Sequence, residues 1–161
     1  MGCDIHCYVE YRMPGREDWI AFGGRINPGR DYDKFARLAG VRGNGALVKP
    51  RGMPADAAHE AVSDSRLYVV DRETDSEGEV SRTRAAQWVA SGSSKYTGHD
   101  NKFVSHPDWH SHTYLTLAEW REAIAADPKD TYDVKYIALT AAMEAMAGIG
   151  CEPRIVFWFD N

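Results

Sequence analysis

The sequence predicts an α+β fold. A single small domain has its N- and C-terminal strands in one sheet and helices packed on that sheet's apolar face. Three observations carry this expectation. The chain opens on an alternating stretch, CDIHCYVEYR. It closes on a strongly apolar one, RIVFWFDN. The segments between them carry helix start and stop signals without a regular strand–helix alternation.

In CDIHCYVEYR, Cys3, Ile5, Cys7, Val9 and Tyr11 fall on one face, and Asp4, His6, Tyr8 and Glu10 on the other. That is the period of a half-buried strand. MPGRED turns the chain, and WIAFG returns as the second strand of a hairpin. GGRINPGR is a loop. Asp31 or Asp33 caps a helix over YDKFARLAG that stops at Gly40. Residues 41–54, VRGNGALVKPRGMP, are irregular, and long ordered loops often carry function. ADAAHEAV reads as a short helix, RLYVV as a strand and DRETDSEGE as a solvated turn. SRTRAAQWVASG is a helix begun by Ser81 and ended by Gly92, and the polar SSKYTGHDNKF after it is expected to be mobile. HTYLT is the end of a strand or an extended lead-in. It leads into TLAE, a capping box of Thr116 and Glu119, whose helix runs to about Ala126 before DPKD. TYDVKYIALTAAMEAMAG is the longest helix, with Val134, Ile137, Leu139, Ala141 and Met143 as its apolar side. RIVFWFDN is apolar enough to be a central strand, and it would bring Asp160 and Asn161 toward the Asp4/His6 face.

The 161 residues fit one domain, 1–161, without an internal repeat. A net charge of -5 argues against duplex nucleic acid as a partner, which calls for clustered Lys and Arg. It leaves room for a small anionic, nucleotide-like ligand held by a few arginines. No apolar run approaches the ~18 residues of a membrane span. Cys3, Cys7 and Cys151 are sparse, odd in number and form no CxxC pair, as reduced thiols of a cytoplasmic protein do.

Candidate chemistry concentrates in two places. Asp4 and His6 are two apart on one strand, so their side chains share a face, with Glu10 further along it. His110 and His112 repeat that spacing in WHSHTYL, with His99 and His106 just before, so four of the six histidines occupy fourteen positions. In an extended segment both rings of the second pair point one way. Asp4, His6, His110 and His112 are therefore the candidate catalytic residues for acid–base work. The same four offer enough ligands for one tetrahedral divalent metal, which the chemistry permits without requiring. Arg30, Arg42 and Arg51 flank glycine-rich turns and suit bidentate phosphate contacts, and Glu10 completes the ligand-binding set. The plain alternatives are a polar strand face, a histidine-rich surface loop and solvated loop arginines.

MGCDIH-x-x-x-E at the start, GRDYDKFARLAGVR, PRGMP, HSHTYLTLAE and the terminal FWFDN together resemble a family of small, largely uncharacterised proteins of tailed phages and prophages. The matching blocks span nearly the whole chain except Asp64–Asp108, which reads as an insertion peculiar to this member. The resemblance implies a protein of the infected host's cytoplasm that counters a nucleotide-based immune signal. Three readings follow. One is a small hydrolase acting on a phosphodiester or nucleotide-derived bond. Another is a binding module that sequesters such a signal. The third is a protein-only inhibitor of a host enzyme. The histidine–aspartate concentration favours the hydrolase, because hydrolysis needs tuned acid and base groups and sequestration needs none. If DIH and HSH build one site, His6 and one of the HSH rings should share a pocket, with Arg42 or Arg51 facing it.

Overall fold

The computed structural model describes residues 2–125 and 133–161. Strand β1 (Asp4–Arg12) is the strand that alternation predicts, and β2 (Ile20–Ala21) returns beside it antiparallel, with Glu10 opposite Ala21. Helix α1 (Tyr32–Ala39) begins at Asp31, whose carboxylate accepts from the backbone N–H of Asp33 and Lys34, and ends at Gly40 in the left-handed region. Helix α2 (His59–Asp64) starts four residues later than ADAAHEAV suggests. Strands β3 (Leu67–Val70), β4 (Glu79–Ser81), β5 (Tyr96–Thr97) and β6 (Phe103–Val104), with helix α3 (Arg82–Ala90), occupy the middle of the chain. Strand β7 (His110–Thr116) runs into α4 (Leu117–Ala125) through the expected capping box. The Thr116 N–H donates to Glu119, and the Glu119 N–H donates back to Thr116 Oγ1. Helix α5 (Val134–Gly148) and strand β8 (Glu152–Asp160) close the fold. The DPKD break and the first two residues of TYDVKYIALTAAMEAMAG lie outside the described residues.

The strands form two four-stranded sheets, ordered β2-β1-β8-β7 and β4-β3-β6-β5. In the first, all pairs are antiparallel and the two chain-terminal strands are the central pair, with Asp4 opposite Asp160. One face of this sheet presents Cys3, Ile5, Cys7, Val9, Leu115, Ile155, Phe157 and Phe159 to α1, α4 and α5. Burying such side chains is worth roughly 1.5–3 kcal/mol each, so this layer is the main core. On α5 the buried residues are Tyr136, Leu139, Met143 and Met146, a helical i, i+3, i+7, i+10 stripe. Of the expected apolar side, Leu139 and Met143 belong to this stripe, whereas Val134 is 76% and Ile137 47% exposed and Ala141 also faces solvent.

The opposite face of the sheet is not left to solvent, as helices on one face alone would imply. Tyr8 and Trp158 are covered by Ala61 of α2 and by Met53, Ala21 and Trp109. Trp109 also packs against the core of the second sheet, where Leu67, Val69, Val80 and Val104 meet Ala85 of α3. That second unit corresponds to Asp64–Asp108, the stretch outside the family-like blocks. SSKYTGHDNKF, expected to be mobile, supplies its strand β5, a short 3-10 turn (His99–Asn101) and the start of β6. Short strands with polar sides carry little periodic signal, so β4, β5 and β6 are invisible to a pattern argument. None of the described helices is long and apolar enough to cross a membrane.

Candidate functional site

The β1–β8 register places His6 opposite Trp158 and Asp4 opposite Asp160. The Asp160 carboxylate bridges both residues. One oxygen accepts the Asp4 backbone N–H at 2.9 Å, and the other meets His6 Nε2 at 2.9 Å. The second ring nitrogen, Nδ1, lies 3.0 Å from an Arg25 guanidinium nitrogen. Arginine can only donate, so Nδ1 accepts, and the proton of His6 sits on Nε2 and points to Asp160. Arg25 is half exposed and reaches Asp64 at 3.6 Å; Asp64 in turn accepts the Tyr8 hydroxyl at 3.1 Å. The result is one chain of polar contacts from Tyr8 through Asp64, Arg25 and His6 to Asp160.

Asp4 is held in a bidentate fork by Arg30, one arm at 2.6 Å. That fork pulls the Asp4 carboxyl below the usual carboxylate range. Gly2 explains part of the MGCD opening, since a Cβ there would run into the Arg30 guanidinium. Arg42 donates to the Asn161 side chain at 3.1 Å and so stands at the same end of the sheet. A cleft of about 580 Å³ opens here, lined by Asp4, His6, Arg30, Asp160 and Asn161 on one side and by His106, Asp108 and Trp109 on the other. His106 is half-buried. Its Nδ1 accepts the Asp108 backbone N–H at 3.2 Å, its ring lies between Trp88 and Trp109, and its Nε2 makes no hydrogen bond among the described residues.

The HSH pair does not behave as even spacing implies. Ser111 adopts a positive φ of 53°, and the register slips between His110 and Thr113. One extra residue on β7 makes this a β-bulge, which re-aims side chains. His110 then pairs with Phe159 and packs on its ring at 6.1 Å, whereas His112 stacks on Trp158 at 5.6 Å. Phe159 and Trp158 are consecutive on β8 and face opposite ways, so the two histidine rings diverge. His6 stacks on Trp158 too, at 5.3 Å and nearly parallel. His6 and His112 thus sit on either side of one buried indole, on the same sheet face, but they line different cavities. Burial pushes His112 down to about 4, with help from His110, His6 and Lys95, so it is neutral at physiological pH.

Of the expected site residues, Asp4, His6 and Arg30 line the cleft and Arg42 borders it. Glu10 does not. It is fully buried in an ion pair with Arg154 at 2.8 Å and accepts the Ala58 N–H, so it ties the sheet to the loop before α2. Arg51 is also placed elsewhere. Its guanidinium forks onto Glu119, stacks over the Tyr114 ring and caps the Tyr114 carbonyl, while its own N–H donates to Thr113 Oγ1 and the next N–H, of Gly52, to the His112 carbonyl. The PRGMP segment therefore covers the open edge of β7, a position that otherwise leaves backbone groups unpaired. The four-ligand metal site is not assembled. Asp4 is engaged by Arg30, both nitrogens of His6 are taken, and His110 turns toward Phe159. Among the described residues no three His, Cys, Asp or Glu side chains converge as metal ligands.

Pattern reading missed Arg25 as the partner of His6 Nδ1 and His106 as part of the cleft wall. Arg25 sits in a loop with no periodicity. The clustering of histidines flagged His106 but could not separate it from the HSH pair. No protein-family model, curated protein or solved structure matches this chain.

Proposed function

We propose that the protein is a small hydrolase that cleaves a phosphodiester or related nucleotide-derived bond by acid–base catalysis in the His6/His106 cleft. The observation that carries this reading is the His6–Asp160 pair facing His106 across one cavity of about 580 Å³, a volume that suits a nucleotide-sized ligand. Asp160 orients the imidazole and would stabilise its protonated form, the role a carboxylate plays behind a catalytic histidine. Arg25 occupies the nitrogen that must take the proton. Being half exposed, it can swing to a phosphate oxygen, which would free Nδ1 beside the bond to be broken. Water is the nucleophile: His6 Nδ1 takes its proton as the oxygen–phosphorus bond forms, and returns it to the leaving oxygen as that bond breaks, while His106 Nε2–H donates a hydrogen bond to the departing oxygen. Arg30 and Arg42 supply positive charge at the cleft edge. No step in this scheme needs a metal. The family resemblance supports an immune signal of the infected bacterium as the substrate.

A second reading, sequestration without cleavage, is favoured by one observation: both nitrogens of His6 are already engaged, and Trp109 offers an aromatic surface in the same cleft. Incubation with linear and cyclic oligonucleotides and nicotinamide-derived signals, followed by chromatography, separates the two. Hydrolysis yields new product peaks. Retention of an unaltered nucleotide by the protein supports sequestration and contradicts the hydrolase.

A further inference from the structure

The second cavity on this sheet face has its own chemistry. It encloses about 350 Å³, and its lining includes Met53, Val62, Arg66, Lys95, Thr97, Ser105 and His112. No carboxylate is among the lining residues. That is unusual for a chain of net charge -5, in which Arg12, Arg16, Arg25, Arg30, Arg51, Arg72, Arg82, Arg84, Arg121 and Arg154 each pair with an acid. Arg66 and Lys95 have no ion pair among the described residues. The Arg66 guanidinium carbon lies over the Phe103 ring, 3.6 Å from its centre. Its Nε and the hydroxyl of Thr97 are buried without a hydrogen-bond partner. Buried donors are almost always satisfied, so two orphans on residues that line one cavity mark side chains that a small rotation would bring to an entering acceptor. His112 in the lining remains neutral, so it can accept or donate one hydrogen bond without adding charge.

We propose that this cavity binds a small phosphomonoester, with the phosphate between Arg66 and Lys95 and its organic part against Met53 and Val62. Phosphate offers several acceptor oxygens, which matches the guanidinium, the ammonium and the hydroxyls of Thr97 and Ser105. The two apolar residues give a carbon skeleton a surface that a bare anion would not use. The site is separate from the His6 cleft, and the proposal holds whether or not that cleft hydrolyses anything.

Calorimetric titration of the whole protein with inorganic phosphate and with adenosine monophosphate tests it, at low ionic strength where charge contacts are least screened. Saturable binding is expected for both, tighter for the monophosphate ester. Arg66→Met and Lys95→Met keep the aliphatic bulk and should each weaken it about tenfold, whereas Arg121→Met, at an exposed arginine that lines neither cavity, should leave it unchanged. Lys95 is exposed, so its variant folds even if the Arg66 variant does not. Absence of saturable binding, binding that Lys95→Met leaves intact, or a loss on Arg121→Met would each overturn the proposal.

Discussion

Glu10 and His112 illustrate how little a residue's type says about its role. Both are polar, and both sit on the sheet face that carries the cleft. Glu10 is sealed against Arg154, which also reaches Asp56 at 2.9 Å, so Glu10→Ala should leave the buried guanidinium with one acid partner and the Ala58 N–H without its acceptor. We expect a loss of about 1–3 kcal/mol in urea unfolding, with no direct effect on the distant cleft. His112 is held neutral by burial and by neighbouring positive groups. The folded protein therefore refuses a proton that the unfolded chain binds below about pH 6.5. Stability from this residue is complete above that pH and is lost as the pH falls toward 4, because there the unfolded state binds more protons. The loss should reach roughly 2 kcal/mol after solvent screening. His112→Gln should remove that part of the decline when unfolding free energies at pH 7 and 4.5 are compared. An equally steep decline in the variant would contradict the assignment.

At the scale of elements, the bulge in β7 decides which histidines can act together. Ser111 holds a left-handed backbone that L-residues other than glycine adopt at a cost. Ser111→Gly should be neutral or stabilising by a few tenths of a kcal/mol, the loss of its contact with His110 offsetting part of the relief. Ser111→Val should destabilise by about 1–2 kcal/mol, since a branched Cβ fits that conformation poorly. Thermal unfolding of the two variants reads both signs. The same element marks the limit of what the sequence could reveal. Strand β1, the capped ends of α1 and α3, the Thr116/Glu119 box and the apolar β8 follow from spacing and capping chemistry. Register does not. A single inserted residue reverses a side chain's direction, and no local pattern in WHSHTYL announces it. The Asp4/His6 half of the cleft was legible for the opposite reason: β1 is regular, and even spacing there means one face. Arg51 and Glu10 were misplaced because a charged residue near a glycine turn or on a polar strand face looks the same whether it meets a ligand or a buried partner.

Across the whole molecule, the N- and C-terminal strands meet at the centre of one sheet. That pairing is what joins Asp4 and His6 to Asp160 and Asn161, over 150 positions apart in the chain. The second sheet contributes the other wall of the cleft through the segment that follows β6, which carries His106, Asp108 and Trp109. The site thus depends on docking the two sheets, and Trp109 packs against the buried clusters of both. The central claim is that chemistry resides in the His6/His106 cleft and not at the HSH pair. Turnover of a nucleotide substrate by the His6→Ala and His112→Ala variants, each verified as folded by circular dichroism, tests this most directly. The account predicts that His6→Ala lowers turnover by about 100- to 10,000-fold, the scale of a lost general base. His112→Ala should keep turnover within a few-fold of the original protein. Loss of turnover in His112→Ala with full activity in His6→Ala would contradict it.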